Sequence, residues 1–265
     1  MNKITLVFFL IIGLLFGSLF NRLGNIVANK KDYKYNVCDN CKNKVGLFHV
    51  SFFSYILNLG RCNHCKRRLN LFPIVIEITT SALFAITYLR FYNEDPLILN
   101  LLYSILLVSS LIIIVVKDVK YLIIPDKILI VFAVILSIIK ISMGIYNEEY
   151  TSILDVGYGI IFLLIDGYIM YYIMVGIKKL GDFILRKDSL GGGDIKLMFY
   201  ISMILGWKMS IVVIFLAAFL ALPYSIINMI KNDRMMFAFG PYLSIAALIL
   251  FLSKIDFSAL ISYLI

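Results

Sequence analysis

Charge is what this sequence has least of. Asp, Glu, Lys and Arg make up 15% of its 265 residues, and 62% are hydrophobic. Soluble globular domains run at about 25% charged and about 45–50% apolar. Too little polar surface is available to cover a soluble fold, so the chain reads as an integral membrane protein of many spans. Strict polar–apolar alternation is missing as well, which excludes a membrane β-barrel. Internal repeats and low-complexity linkers are also missing. After the first apolar stretch there is no small-x-small cleavage site, so that stretch is expected to be retained as a span.

What the chain does have is long apolar runs. They predict an all-α polytopic membrane protein with spans near residues 4–21, 72–91, 97–116, 128–146, 153–177, 209–230 and 238–253. Each is near the roughly 20 residues that cross a hydrocarbon layer of about 30 Å. A shorter run, 194–207, covers roughly 21 Å as a helix and competes with a re-entrant segment.

Basic residues decide between them. Of 25 Lys and Arg, ten fall between Arg22 and Arg68, three at Lys117, Lys120 and Lys127, five between Lys178 and Lys196, and two at Lys231 and Arg234. Lys/Arg excess marks cytoplasmic loops. Eight crossings, the sixth short or tilted, place all four segments in the cytoplasm and both termini outside. The net charge of +9 then needs no nucleic acid, because basic edges facing anionic lipid account for it.

One segment is not membrane-like. Residues 23–71 form a cytoplasmic insertion between the first span (1–22) and a seven-helix domain (72–265). It holds all four cysteines, Cys38, Cys41, Cys62 and Cys65, in "CDNC" and "CNHC". The C-x2-C, twenty residues, C-x2-C spacing resembles a zinc ribbon. Two such knuckles aim four thiolates at a tetrahedral, structural Zn²⁺. Two disulfides are the alternative, which a cytoplasmic location opposes. His49 and His64 read as bystanders.

Acids within or beside a membrane are functional candidates. Here they are Glu77, Asp118, Asp126, Asp155, Asp166 and Asp194. Asp155 reads as solvated at the outer edge, and Asp166 as a buried hydrogen-bonding group between helices. Asp118 ends the third span and Asp194, in "LGGGDIKL", begins the sixth. Both fall at the cytoplasmic face at similar depth. Two close carboxylates cannot both ionise easily, and one protonated beside one charged can activate a water. The glycines before Asp194 read as a hinge that turns the chain sharply and admits a substrate backbone.

With these residues together, the sequence resembles the bifunctional type IV prepilin leader peptidases and N-methyltransferases, GxGD-type aspartic proteases of the bacterial cytoplasmic (inner) membrane. "GLLFGSLFNRL" (Gly13 to Leu23), the paired CxxC loop, "FPIVIEITTSALF", "KDVKYLIIPDKI", "LGGGDIKL" and "FAFGPYLS" carry the likeness. The resemblance implies catalytic Asp118 and Asp194, with Gly191, Gly193, Asp126, Lys196 and Glu77 supporting the site. It implies prepilin or pseudopilin precursors as partners, cut after a short basic leader ending in glycine. It also implies methylation of the new N-terminal residue from S-adenosylmethionine. "CDNC", "LNLGRC" and "LFHVSFF" depart from the family pattern in the insertion, which favours a peptidase without methylation as the alternative. Buried acids also suit a proton-coupled transporter, a different class.

Overall fold

The computed structural model describes residues 3–26, 41, 51–62, 64–186, 189–230, 238–255 and 257–264. Among them every regular element is a helix: α1 (Lys3–Ile26), α2 (Ser51–Leu57), α3 (Phe72–Phe91), α4 (Leu97–Tyr121), α5 (Asp126–Tyr146), α6 (Ile153–Leu185), α7 (Gly192–Leu205), α8 (Trp207–Ile230), α9 (Gly240–Ser253) and α10 (Phe257–Leu264). Six of these, α1, α3, α4, α5, α6 and α8, are long and apolar enough to cross a membrane. α7 and α9 have 14 residues each. The chain is an all-α polytopic membrane protein.

Local chemistry sets the helix starts. Pro73 and Pro241 stand in the first turns of α3 and α9, and Pro96 and Pro125 precede α4 and α5. Proline's fixed φ suits the first turn of a helix, where no N–H partner is needed. α6 begins with a capping box in which Ser152 and Asp155 satisfy each other's backbone N–H groups. Asp155 is therefore a capping residue, and it is half-buried.

α4 is the centre of the bundle. Over half of its membrane window, 56%, is buried, against 22% for α5, α6 and α8, which face outward. Lipid gives little hydrophobic drive for helix association, so close packing of small residues and interhelical hydrogen bonds must hold the bundle. α1 and α3 use the first device: a Cβ on Gly13 would lie 2.5 Å from the Ser81 Cα, and one on Gly17 2.7 Å from the Glu77 Cα. The second joins α4 to α7, where the Ser110 and Tyr200 hydroxyls share a buried hydrogen bond of 2.5 Å.

Several boundaries differ from expectation, among them the end of α1 at Ile26. α4 runs on to Tyr121 and α6 to Leu185, because the lysines that end an apolar run mark a membrane edge and do not stop a helix. α7 starts at Gly192, so two of the three glycines belong to its first turn. α10 lies in a stretch where no helix was expected.

Asp166 does bridge helices. It faces the backbone N–H of Trp207 at the start of α8 and feels the charge of Lys140. Lys140 donates to the Ile204 carbonyl at 2.9 Å and the Met203 carbonyl at 3.4 Å, at the end of α7. The break between α7 and α8 at Gly206 thus has its freed backbone groups covered, as membrane-depth breaks require.

Candidate active site

The site grows from the end of α4. Leu122 takes a left-handed conformation, φ 54°, and returns its N–H to the Asp118 carbonyl. Pro125 keeps Ile124 out of the helical region, and α5 begins at Asp126. The short connection 122–125 thereby stands Asp118 and Asp126 at one end of the bundle.

α7 brings Asp194 to the same end. Gly191 is extended (φ −68°, ψ 139°), and Asp194 lies in the first turn. None of Gly191, Gly192 and Gly193 has a positive φ, so none of them serves a left-handed turn. The use of the run is close approach. A Cβ on Gly193 would sit 3.1 Å from the Ile124 Cβ, and one on Gly191 3.1 Å from Asp194 Oδ2, whereas Gly192 has open space around it. The preceding loop is tied down as well, since the Ser189 N–H and hydroxyl both donate to Asp182 Oδ1 on α6.

Asp118 and Asp194 line one cavity of about 790 Å³, together with Asp126, Lys196 and the three glycines. They are 5% and 9% exposed, and Asp194 feels the charge of Asp118. Lys196 grips both oxygens of Asp126, at 2.9 and 2.7 Å, linking α5 to α7. About half of each of these side chains is exposed, so the bridge is worth about 1 kcal/mol at most.

Asp118 is also packed by Gly240, which lies in the "FAFGPYLS" segment but is not among the site residues that the sequence implies. Gly240, at the start of α9, faces Asp118 with its backbone N–H. A Cβ there would lie 2.5 Å from Asp118 Oδ2, a buried oxygen with no hydrogen-bond partner among the described residues. The N-terminus of α9 carries partial positive charge, which offsets the unfavourable position of Asp118 near the end of α4. "FGP" signals a helix start, but nothing in the sequence says which acid that start would face.

Glu77 is not brought to the cavity. It is fully buried on α3 and accepts the Phe52 N–H at 2.7 Å, which fastens α2 of the insertion to the bundle. In the insertion, the sulfurs of Cys41, Cys62 and Cys65 all lie within 4.8 Å of one another. Cys41 and Cys62 are 3.6 Å apart, close to the edge of about 3.8 Å of a tetrahedron with Zn–S bonds of about 2.3 Å. The second knuckle is a tight hairpin closed by Cys62 N–H to the Arg67 carbonyl and Lys66 N–H to the Cys62 carbonyl. His64 is exposed and outside the cluster. Cys38 and His49 lie outside the described residues.

The site is thus two buried carboxylates in one cavity at the end of a helical membrane bundle. Residues 105–226 match the type IV leader peptidase family and residues 11–91 the bacterial peptidase A24 N-terminal domain. Between them the two matches cover most of the chain. It is similar to a prepilin leader peptidase/N-methyltransferase of Bacillus subtilis (strain 168), 27% identical over 66% of this chain and 62% of that protein. One of Dichelobacter nodosus is 24% identical over 85% of this chain and 73% of its own length. One of Vibrio cholerae serotype O1 is 27% identical over 78% and 79%. The chain thus spans less than two thirds of the first of these relatives. No solved structure matches it.

Proposed function

We propose that this protein removes the basic leader from type IV prepilin-like precursors, with Asp118 and Asp194 as the catalytic pair. The observation that carries this is the shared cavity of two buried carboxylates at the end of the bundle. One carboxylate, ionised, takes a proton from a water that attacks the scissile carbonyl. The other, protonated, donates to the carbonyl oxygen. The tetrahedral intermediate then collapses, the C–N bond breaks, and the amine leaves with a proton from the pair. Gly193 and Gly240 hold the two acids by letting backbone pack against Ile124 and Asp118. Asp126 and Lys196 fix α5 to α7.

The basic segments support eight crossings of a bacterial cytoplasmic membrane, with the insertion inside and both termini outside. The thiol geometry of Cys41, Cys62 and Cys65 supports one structural Zn²⁺, and the CxxC spacing supplies Cys38 as its fourth ligand. Bound there, the metal would supply folding energy to a small insertion and no catalysis.

Methyl transfer from S-adenosylmethionine, implied by the relatives' names, is proposed as a second activity. The aspartate cavity is lined by carboxylates, and the neighbouring one between α5, α6 and α7 is almost wholly apolar. The first is the polar site given above to peptide cleavage and the second lacks the polar groups a nucleoside donor needs, so methylation is assigned to no residue.

The test is co-expression of a pilin precursor with the wild type, Asp118→Asn or Asp194→Asn, reading leader removal and N-terminal mass. Each variant is expected to lose at least about 10³-fold in rate, as loss of a member of a catalytic unit does. Cleavage surviving in both would end the proposal. Cleaved product without the methyl group's added mass would leave a peptidase alone.

A further inference from the structure

α9 is too short to take its height from the membrane. Its 14 residues make about 21 Å of helix in a layer of about 30 Å, so its two ends cannot both rest at membrane edges. Around Ala246 and Ala247 its buried face is flat, and small side chains make shallow ridges that resist sliding poorly. Yet the start of this helix is closely placed, since a Cβ on Gly240 would lie 2.5 Å from Asp118 Oδ2.

The far end supplies a hold. α3 and α9 finish side by side, and the last carbonyls of a helix carry partial negative charge and lack partners within it. Arg90, at the end of α3, reaches across. Its Nε donates to the Leu252 carbonyl at 2.8 Å and its Nη2 to the Ser253 carbonyl at 2.5 Å, where α9 ends. Lys254 returns the contact. It donates to the Arg90 carbonyl at 2.8 Å, pairs with Glu94 and lies over the Phe91 ring, 4.3 Å from its centroid. Phe91 itself stacks on Phe251 at 5.4 Å. A cation from each side caps the other helix, so neither end slides past the other without breaking both caps.

α7 offers the contrast. It also has 14 residues and an acid at its start, but its middle is pinned: Tyr200 bonds Ser110 of α4, and Ser202 donates to the Asp166 carbonyl at 2.7 Å. The buried hydroxyl of α9, on Ser244, pins nothing, having no partner among the described residues.

We propose that Arg90 and Lys254 are positioning residues: clasped at one end of the bundle, they set the height at which Gly240 meets Asp118 at the other, about 20 Å away. This rests on the peptidase reading. Neither residue lines the aspartate cavity, and contacts this exposed add little to stability. Their effect falls on the placement of one carboxylate, and so on the chemical step and not on substrate binding.

Kinetics of the purified full chain on a pilin precursor in detergent test this. Arg90→Met keeps the stem and loses both donors. It is expected to lower kcat about tenfold with KM within about twofold, since misplacing a reacting group by about 1 Å costs about 10²-fold and a smaller slip costs less. Arg90→Lys, which retains a charged donor, should return to within about threefold of the wild type. Lys254→Met should fall as Arg90→Met does, and it carries the test if Arg90→Met does not fold. The sharpest reading is Arg90→Met combined with Gly240→Ala. Changes about 20 Å apart normally combine independently. If both act by displacing Asp118, the double variant loses little more than Gly240→Ala alone. Losses that multiply, or an unchanged kcat in Arg90→Met and Lys254→Met, would overturn the proposal. If the wild type does not cleave the precursor, the peptidase reading fails and the clasp's role with it; if it cleaves and the clasp variants match it, only the clasp's role fails.

Discussion

At the scale of single residues, the site is held by what two glycines lack. Gly240→Ala places a carbon 2.5 Å from Asp118 Oδ2, and the carboxylate must turn away. The expected outcome is a fall in kcat of about 10²-fold, the usual cost of misplacing a reacting group by about 1 Å, with melting temperature little changed. Gly193→Ala meets the Ile124 side chain at 3.1 Å and should be milder. Gly192→Ala meets nothing within 4 Å. It should retain activity and gain slightly in stability, by less than the roughly 1 kcal/mol by which alanine outranks glycine in a helix interior. Rate and melting curves on the three variants check this order. The sequence makes Asp118 and Asp194 legible because acids beside apolar runs stand out. Gly240 stays illegible because a glycine carries no chemistry of its own, and its meaning lies in a contact with a residue over a hundred positions away. Likewise, the pattern Gly13-x3-Gly17 signals a close helix crossing, but it does not name α3 as the partner.

At the scale of elements, α5 grips α7 at both ends, through Asp126 and Lys196 at one and through Lys140 at the other. The two grips should differ in worth. Lys140→Met strands two carbonyls and removes the charge beside Asp166. A loss of about 1–3 kcal/mol is expected for buried groups left unpaired, seen as a lower unfolding midpoint in detergent. Lys196→Ala should cost less than about 1 kcal/mol, since its pair is half exposed. Apolar runs place the membrane helices well, because burying polar backbone in lipid leaves few alternatives to a helix. They do not reveal that α6 continues for eight residues past Ile177, because hydropathy records where lipid ends and not where hydrogen bonding ends. Nor do they show that the glycines open α7, since glycine's helix cost is small in a first turn.

At the scale of the whole molecule, the insertion is fastened to the bundle by Glu77 and, as proposed, held together internally by a metal. Purified protein should hold about one zinc per chain by elemental analysis. Cys62→Ser should lose it and make the insertion sensitive to trypsin, because the metal's binding energy is the folding energy of so small a unit. Zinc retained by that variant would point to other ligands.

α6 adds one more consequence. Its 33 residues make a rod of about 50 Å in a layer of about 30 Å. The surplus end carries exposed Leu180, Phe183 and Ile184 among Lys178, Lys179 and Arg186, a mixture suited to the headgroup region of an anionic leaflet. This end is tied through Asp182 to the loop that leads into Asp194. Anchored in the headgroups, it would set how deep the aspartates ride below the lipid surface. Replacing the three basic residues by Gln should slow cleavage in anionic vesicles and leave it unchanged in detergent, so bilayer charge becomes a control on the depth at which a peptide bond is cut.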